Sequence, residues 1–164
     1  MRILGIDPSL RNTGYGLIEV LGINRFKVIA YGVIRNSDKL RQTECLVRIH
    51  EVITGLIAEH APQAAAVEGI IYLQNYRTAI TLGAARAASL LAVSQHQIPI
   101  FEYAPRRVKS AATGRGGAQK QQVSFMMRAL LGLTENPPPD AADALAVAMT
   151  HAQSRGAVSH GTRI

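Results

Sequence analysis

The chain has 164 residues, of which 48% are hydrophobic, so a wholly disordered chain is excluded and the length suits one domain with its own core. Its formal net charge of +7 indicates an acidic partner such as nucleic acid, and no apolar run approaches the ~20 residues of a membrane span. The lone cysteine, Cys45, cannot form an intrachain disulfide or a thiolate metal cluster.

The first half of the chain predicts three strands and a helix. Residues 2–7, 14–20 and 26–34 are apolar runs joined by short Gly- and Asn-containing connections, which predicts an antiparallel meander. Apolar residues then recur at steps of three and four over 39–60, which predicts an amphipathic helix. Asp7 also interrupts the apolar stretch that a signal peptide would need, so we expect a cytoplasmic protein.

The second half alternates strands and helices. A buried strand is predicted at 64–68, an Ala-rich helix at 76–97 and a fifth strand at 98–103. Three further helical patterns follow, at 105–112, 119–131 and 139–153. We therefore expect one α/β domain over 1–153, with a mixed five-stranded sheet flanked by helices, and a flexible tail over 154–164. This order matches the ribonuclease H-like architecture, in which the first and fourth strands are parallel neighbours.

Four carboxylates lie in apolar or Gly-rich surroundings. Asp7 and Glu68 each end an apolar strand, and Asp140 and Asp143 are about 60° apart around the start of the last helix. A buried ionised carboxylate is costly unless it is paired or binds a cation. Carboxylates without nearby Cys or His are the ligands of Mg²⁺ or Mn²⁺. In a basic chain, this pattern favours phosphodiester chemistry on nucleic acid.

Three of these acids also fit purely structural roles when taken singly. Asp7 could accept bonds from turn amides, Glu68 could pair with an arginine, and Asp140 could cap its helix. Asp143 does not fit such a role, because a second acid in the same helical turn repels Asp140 unless a cation lies between them. The four acids together therefore favour a metal site.

The segment between Glu102 and Glu135 is basic, because it contains lysines and arginines but no acid. Its Gly-rich stretch, 113–117, would let the backbone approach a phosphate. Such a basic segment is either a solvated surface or a contact for the DNA backbone, and we favour DNA contact, with Arg106, Arg107 and Arg115 as the binding residues.

Several segments, in order and at matching spacing from about residue 2 to 151, resemble the RuvC-type Holliday-junction resolvases. The segments are Ile3-Leu4-Gly5-Ile6-Asp7-Pro8-Ser9 with Thr13-Gly14-Tyr15-Gly16, Val67-Glu68, Leu82-Gly83-Ala84-Ala85-Arg86, Phe101-Glu102-Tyr103-Ala104, Val108-Lys109, Lys120-Gln121-Gln122-Val123 and Asp140-Ala141-Ala142-Asp143-Ala144-Leu145-Ala146.

The resemblance implies a homodimeric endonuclease that cuts two strands of like polarity at a four-way DNA junction by two-metal hydrolysis. It also implies a branch-migration helicase complex as a partner. In this family, four acids bind two divalent ions per site, Mg²⁺ or Mn²⁺, and two lysines assist. The corresponding residues here are Asp7, Glu68, Asp140 and Asp143 for the metals, and Lys109 and Lys120 for the assisting charges.

One position departs from the family pattern. The family commonly has a Phe three residues after the Glu, thought to stack at the junction centre, whereas this chain has Ile71 followed by Tyr72. An aliphatic side chain can wedge between bases but offers no ring face. Either residue could contact the junction centre, and we expect Tyr72 to stack there.

Three other functions have some support in the sequence. An actin- or sugar-kinase-type ATPase would need duplicated halves and a second Asp-x-Gly phosphate loop, and the chain is too short and lacks that loop. A module that binds branched DNA without cutting it would be favoured by a missing acid, and all four acids are present. A ribonuclease H-like nuclease acting on another nucleic acid, such as RNA, stays an alternative, because two-metal chemistry is indifferent to the sugar.

Overall fold

A computed structural model describes residues 1–70, 75–154 and 161–164, which together form a mixed sheet in the order β3-β2-β1-β4-β5-β6. The strands are β1 (Arg2–Asp7), β2 (Asn12–Gly22), β3 (Arg25–Arg35), β4 (Ala64–Glu68), β5 (Ile100–Tyr103) and β6 (Thr162–Arg163). The helices are α1 (Gln42–His60), α2 (Tyr76–Gln95), α3 (Pro105–Thr113), α4 (Lys120–Leu131) and α5 (Pro139–Ser154). Within the described residues, no helix is both long and apolar enough to cross a membrane.

The strand pairing confirms the predicted α/β architecture. Strands β1, β2 and β3 form the antiparallel meander, and β1 runs parallel to β4, which in turn runs parallel to β5. The structure adds one strand to the predicted five, because Thr162–Arg163 pairs antiparallel with β5. A strand of two residues is too short to give a recognisable sequence pattern. It lies in the predicted tail, most of which falls outside the described residues.

The central strand β1 is buried on both faces of the sheet. Ile3 belongs to one core cluster, formed with α3, α4 and α5, whereas Leu4 and Ile6 belong to the other, formed with α1 and α2. Successive side chains of a strand point to opposite faces, so an unbroken apolar run serves both clusters. Cys45 is fully buried in α1.

Helix α5 lies directly on β1 and β2 because glycines remove the side chains between them. A Cβ at Gly5 would lie 1.9 Å from the Ala144 carbonyl oxygen, and one at Gly14 would lie 2.0 Å from the Asp140 carbonyl oxygen. Gly14 is also paired with Asp7 in the sheet. This close contact therefore places the first turn of α5 beside the end of β1.

We predict that Gly14→Ala destabilises the protein by ~1 to 3 kcal/mol, since the added methyl group must push α5 off the sheet. Urea unfolding measures the change. The control is Gly22→Ala in the same strand, where an added Cβ meets nothing within 4 Å. Equal stability of the two variants would contradict the close contact between helix and sheet.

Candidate active site and nucleic-acid interface

The four predicted acids come from three elements, β1, β4 and α5, which meet where the parallel strands β1 and β4 end. The parallel pairing of β1 with β4 ends at Ile6 and Val67, so Asp7 and Glu68 follow on neighbouring strands that point the same way. Asp140 lies in the first turn of α5 and Asp143 follows three residues later, on a helix that the glycine contact holds against the sheet. The charges of all three other acids act on Asp7, so the structure brings the four carboxylates together.

The environment of these carboxylates disfavours their ionised forms. The pKa of Asp7 is raised to about 7, chiefly by burial and further by the charges of Asp143 and Glu68, against the opposing effect of Lys120. Burial also raises the pKa values of Glu68 and Asp143 above their ordinary range. Without a bound cation, these carboxyl groups hold protons more tightly than exposed acids do.

Both predicted lysines face the acids. Lys120 Nζ lies 3.6 Å from Asp140 Oδ1 and 3.4 Å from Asp143 Oδ2. Partial burial lowers the pKa of Lys120, but the charges of Asp143, Asp140 and Asp7 outweigh this and raise it, so the ammonium stays protonated. Lys109, in α3, also acts on the acids, since its charge lowers the pKa values of Glu68 and Asp143.

The donor set fits a hard divalent cation. As the side chains stand, no three Asp, Glu, His or Cys residues within 1–70, 75–154 and 161–164 form a ready-made metal-binding group. Lys120 instead contacts two of the acids. Among the described residues, four carboxylates nevertheless face only two ammonium groups, so a fully ionised site keeps negative charge that a divalent cation would neutralise. All the donors are oxygens, which Mg²⁺ and Mn²⁺ prefer.

The basic segment lies next to this site, with its arginines in different situations. Arg106 and Arg115 are exposed, and Arg115 lines a groove of about 390 Å³ beside α4. Arg107 is half-buried, its Nη2 donates to Ser154 Oγ at 2.9 Å, and its guanidinium lies over the Tyr103 ring. Part of its hydrogen-bonding capacity is thus used inside the protein.

The two residues predicted at the junction centre, Ile71 and Tyr72, lie outside the described residues. Which of them contacts DNA stays a prediction.

Sequence reasoning assigned no role to Arg86 or Glu102, although both belong to the segments that resemble the family. Arg86 donates to the backbone carbonyl oxygen of Glu68 at 2.6 Å and forms an ion pair with Glu102. An arginine inside the Ala-rich stretch of α2 was the available signal, because a charge in an apolar helix needs a partner. The sequence had also left open an arginine partner for Glu68, and Arg86 bonds to its backbone.

Comparisons with known proteins agree with the resemblance. Residues 3–151 match the family described as Crossover junction endodeoxyribonuclease RuvC. Relatives of that name are 48% identical in Akkermansia muciniphila, over 92% of this chain and 90% of the relative, and 43% identical in Caldicellulosiruptor saccharolyticus, over 96% of each. A solved structure of T. thermophilus RuvC in complex with Holliday junction substrate superposes with a TM-score of 0.91 at 33% identity, covering 100% of this chain and 99% of that one.

We predict that Asp7→Asn stabilises the metal-free protein at pH 8. A carboxyl whose pKa is raised on folding contributes stability below its unfolded pKa and loses it as the pH rises through the folded value, here about 7. The amide cannot ionise, so its advantage over the wild type should grow from pH 5 to pH 8. Thermal unfolding in EDTA should show a gain of ~2 to 4 °C or more at pH 8.

The control for this experiment is Asp38→Asn, which changes a carboxylate that is 98% exposed. The difference in melting temperature between this variant and the wild type should be about the same at pH 5 and at pH 8. An Asp7→Asn advantage that is no larger at pH 8 than at pH 5 would contradict the assigned electrostatics.

Proposed function

The chain belongs to the RuvC family of crossover junction endodeoxyribonucleases, and we propose from this premise that it resolves four-way DNA junctions, nicking two strands of like polarity with the help of bound divalent metal. One observation carries the proposal. Within the region that matches the family, Asp7, Glu68, Asp140 and Asp143 meet at one edge of the sheet, with the Lys120 ammonium between two of them.

The four acids would hold two Mg²⁺ or Mn²⁺ ions per site. Bound ions would supply Lewis-acid chemistry, activating a water molecule and stabilising the leaving 3′ oxygen. The protein's own contribution is placement: Asp7 and Glu68 extend from paired strands, and Asp140 and Asp143 extend from a helix fixed to those strands. Carboxylates on such rigid elements are held in place before the substrate arrives.

Lys109 and Lys120 would offset negative charge that grows on the phosphoryl oxygens. Their charges already act on the acids, so a phosphate bound among those acids comes within reach of both. Positive charge aimed at such a phosphate acts mainly in the transition state.

DNA binding would extend from the site over the basic segment. Exposed Arg106 and Arg115 are suited to phosphate contacts, and Arg107 would contribute with the part of its guanidinium that is not bonded to Ser154. Ile71 or Tyr72, three or four residues beyond Glu68, would reach the junction centre. These contacts would select a branched substrate, while the acids act on its backbone.

We further propose a homodimer that uses the outer face of α2. Two equivalent cuts require two sites, and a two-fold dimer matches the symmetry of the junction. Tyr76, Ile80 and Leu91 are 67%, 65% and 53% exposed and lie along one stripe of α2, as expected for an apolar face covered by a second copy. A helicase complex as partner and a cytoplasmic location are proposed on sequence grounds alone.

The function is tested by offering junction DNA, duplex DNA and an RNA–DNA hybrid in parallel with Mg²⁺. We expect paired nicks in the junction and little cutting of the other two. Preferential cutting of the hybrid would favour a ribonuclease, and tight junction binding without cutting would favour a binding module.

We predict that the amide variants Asp7→Asn, Glu68→Gln, Asp140→Asn and Asp143→Asn each lower junction cleavage by more than roughly 10²-fold, because each removes charge needed for the metal. Junction affinity should stay within a few-fold, since the basic surface remains. Asp38→Asn is the control. Near-normal cleavage by two of the four variants would refute the metal site.

Lys109→Ala and Lys120→Ala should each slow the single-turnover cleavage step by roughly 10- to 10³-fold while changing junction affinity much less. Lys39→Ala removes an exposed lysine away from the acids and serves as the control. If saturating enzyme restores a normal rate to both variants, the lysines act only in binding DNA.

Ile80→Asp should convert the dimer to a monomer, because it places a charge in the apolar contact. Size-exclusion chromatography with light scattering measures the mass. Ile23→Asp is the matched control, since Ile23 is 94% exposed at the β2–β3 turn, away from α2. Dissociation by Ile23→Asp and not by Ile80→Asp would move the interface to the other surface.

A further inference from the structure

We propose that Arg86 is a positioning residue for the metal site, which it serves by fixing the backbone of Glu68 while Glu102 neutralises its charge. This inference rests on the proposed function, because it concerns the metal that Glu68 would help to bind. Arg86 touches neither the metal nor the substrate in this role.

The guanidinium of Arg86 joins three elements. Its side chain, in α2, is only 11% exposed. Nη1 donates to the Glu68 carbonyl oxygen at the end of β4, at 2.6 Å, and Nη2 forms an ion pair with Glu102 on β5. The buried charge is therefore paired, and one of its fixed donor directions is committed to the peptide that carries a predicted metal ligand.

Glu68 needs such support because it lies where the sheet ends. The pairing of β4 with β1 stops at Val67, one residue earlier. On the other side, the β4–β5 pairing ends at Glu68 opposite Tyr103, and the next amide, Gly69 N, donates to the Tyr103 carbonyl oxygen at 2.8 Å. Arg86 gives the Glu68 carbonyl group its partner, so the peptide is held by more than the strand ladder.

Glu102 does more than balance the charge. A Cβ at Gly69 would lie 3.1 Å from Glu102 Oε1, so the carboxylate packs against the residue that follows Glu68. Without this counter-ion, the Arg86 charge would be attracted to the carboxylates of the site and would compete with a metal for them. The ion pair with Glu102 thus keeps the Arg86 guanidinium bonded to the Glu68 carbonyl oxygen and leaves the Glu68 carboxylate available for a metal.

The test is the binding of Mn²⁺ to DNA-free protein, measured by calorimetry, together with junction affinity and the single-turnover rate as a function of Mn²⁺ concentration. Arg86→Met should weaken Mn²⁺ binding by ~10- to 100-fold, as expected when the support of a metal ligand is removed. Junction affinity without metal should stay within about twofold, and raising Mn²⁺ should restore much of the rate.

Arg2→Met is the matched control. Arg2 also donates to a backbone carbonyl oxygen, that of His60 at 2.8 Å, and also contacts a glutamate, Glu19, at 3.5 Å. It lies at the opposite end of β1 from Asp7. It should therefore cost stability without changing Mn²⁺ affinity.

The result that would overturn the proposal is wild-type Mn²⁺ affinity in folded Arg86→Met. Glu102→Gln keeps the size of the side chain and decides the matter if Arg86→Met does not fold. Weakened Mn²⁺ binding by Glu102→Gln supports the positioning role, and unchanged binding refutes it. A wild-type protein that cuts no junction but binds Mn²⁺ would sink the proposed function while leaving this test intact, and one that binds no Mn²⁺ would sink both.

Discussion

The contact between the backbone of α5 and the glycines of β1 and β2 is the constraint on which the site depends. Asp7 and Glu68 become neighbours through ordinary strand pairing, but Asp140 and Asp143 can join them only if α5 comes within backbone distance of the sheet. Gly14 meets this need directly, since it pairs with Asp7 and would collide with the Asp140 carbonyl oxygen if it carried a side chain. An Ala-rich helix that is buried nearly all round completes the fit.

This arrangement opposes the protein's own stability. Desolvation and mutual repulsion raise the pKa values of Asp7, Glu68 and Asp143, so ionising them costs folding free energy. Active sites commonly keep such unfavourable groups because the substrate or cofactor needs them. Here the loss of folding free energy is offset by the core on both sides of β1 and by the contact of α5 with the sheet. The site is strained electrostatically while its scaffold is well packed.

Much of this architecture could be predicted from the sequence, because it rests on local patterns. Apolar runs with Gly and Asn between them marked the meander, and acids at the ends of apolar strands marked the site. What could not be predicted depends on contacts between distant segments. Arg86 bonds to a carbonyl group 18 residues away, and backbone acceptors carry no residue signature. Likewise, only the structure shows that Arg107 reaches Ser154 and that two residues near the C-terminus extend the sheet.

The position of Lys120 suits it to two roles, one in the metal-free site and one in the proposed reaction. Its ammonium contacts the same carboxylates, Asp140 and Asp143, that a divalent cation would bind. A divalent cation held by these carboxylates would compete with the ammonium for their oxygens and would displace it from them. The displaced ammonium would stay close, because Lys120 begins α4 and contacts two acids of α5, and a phosphate bound with the metal would be its new partner. One lysine would thus stabilise the acids before metal binds and assist the phosphate afterwards.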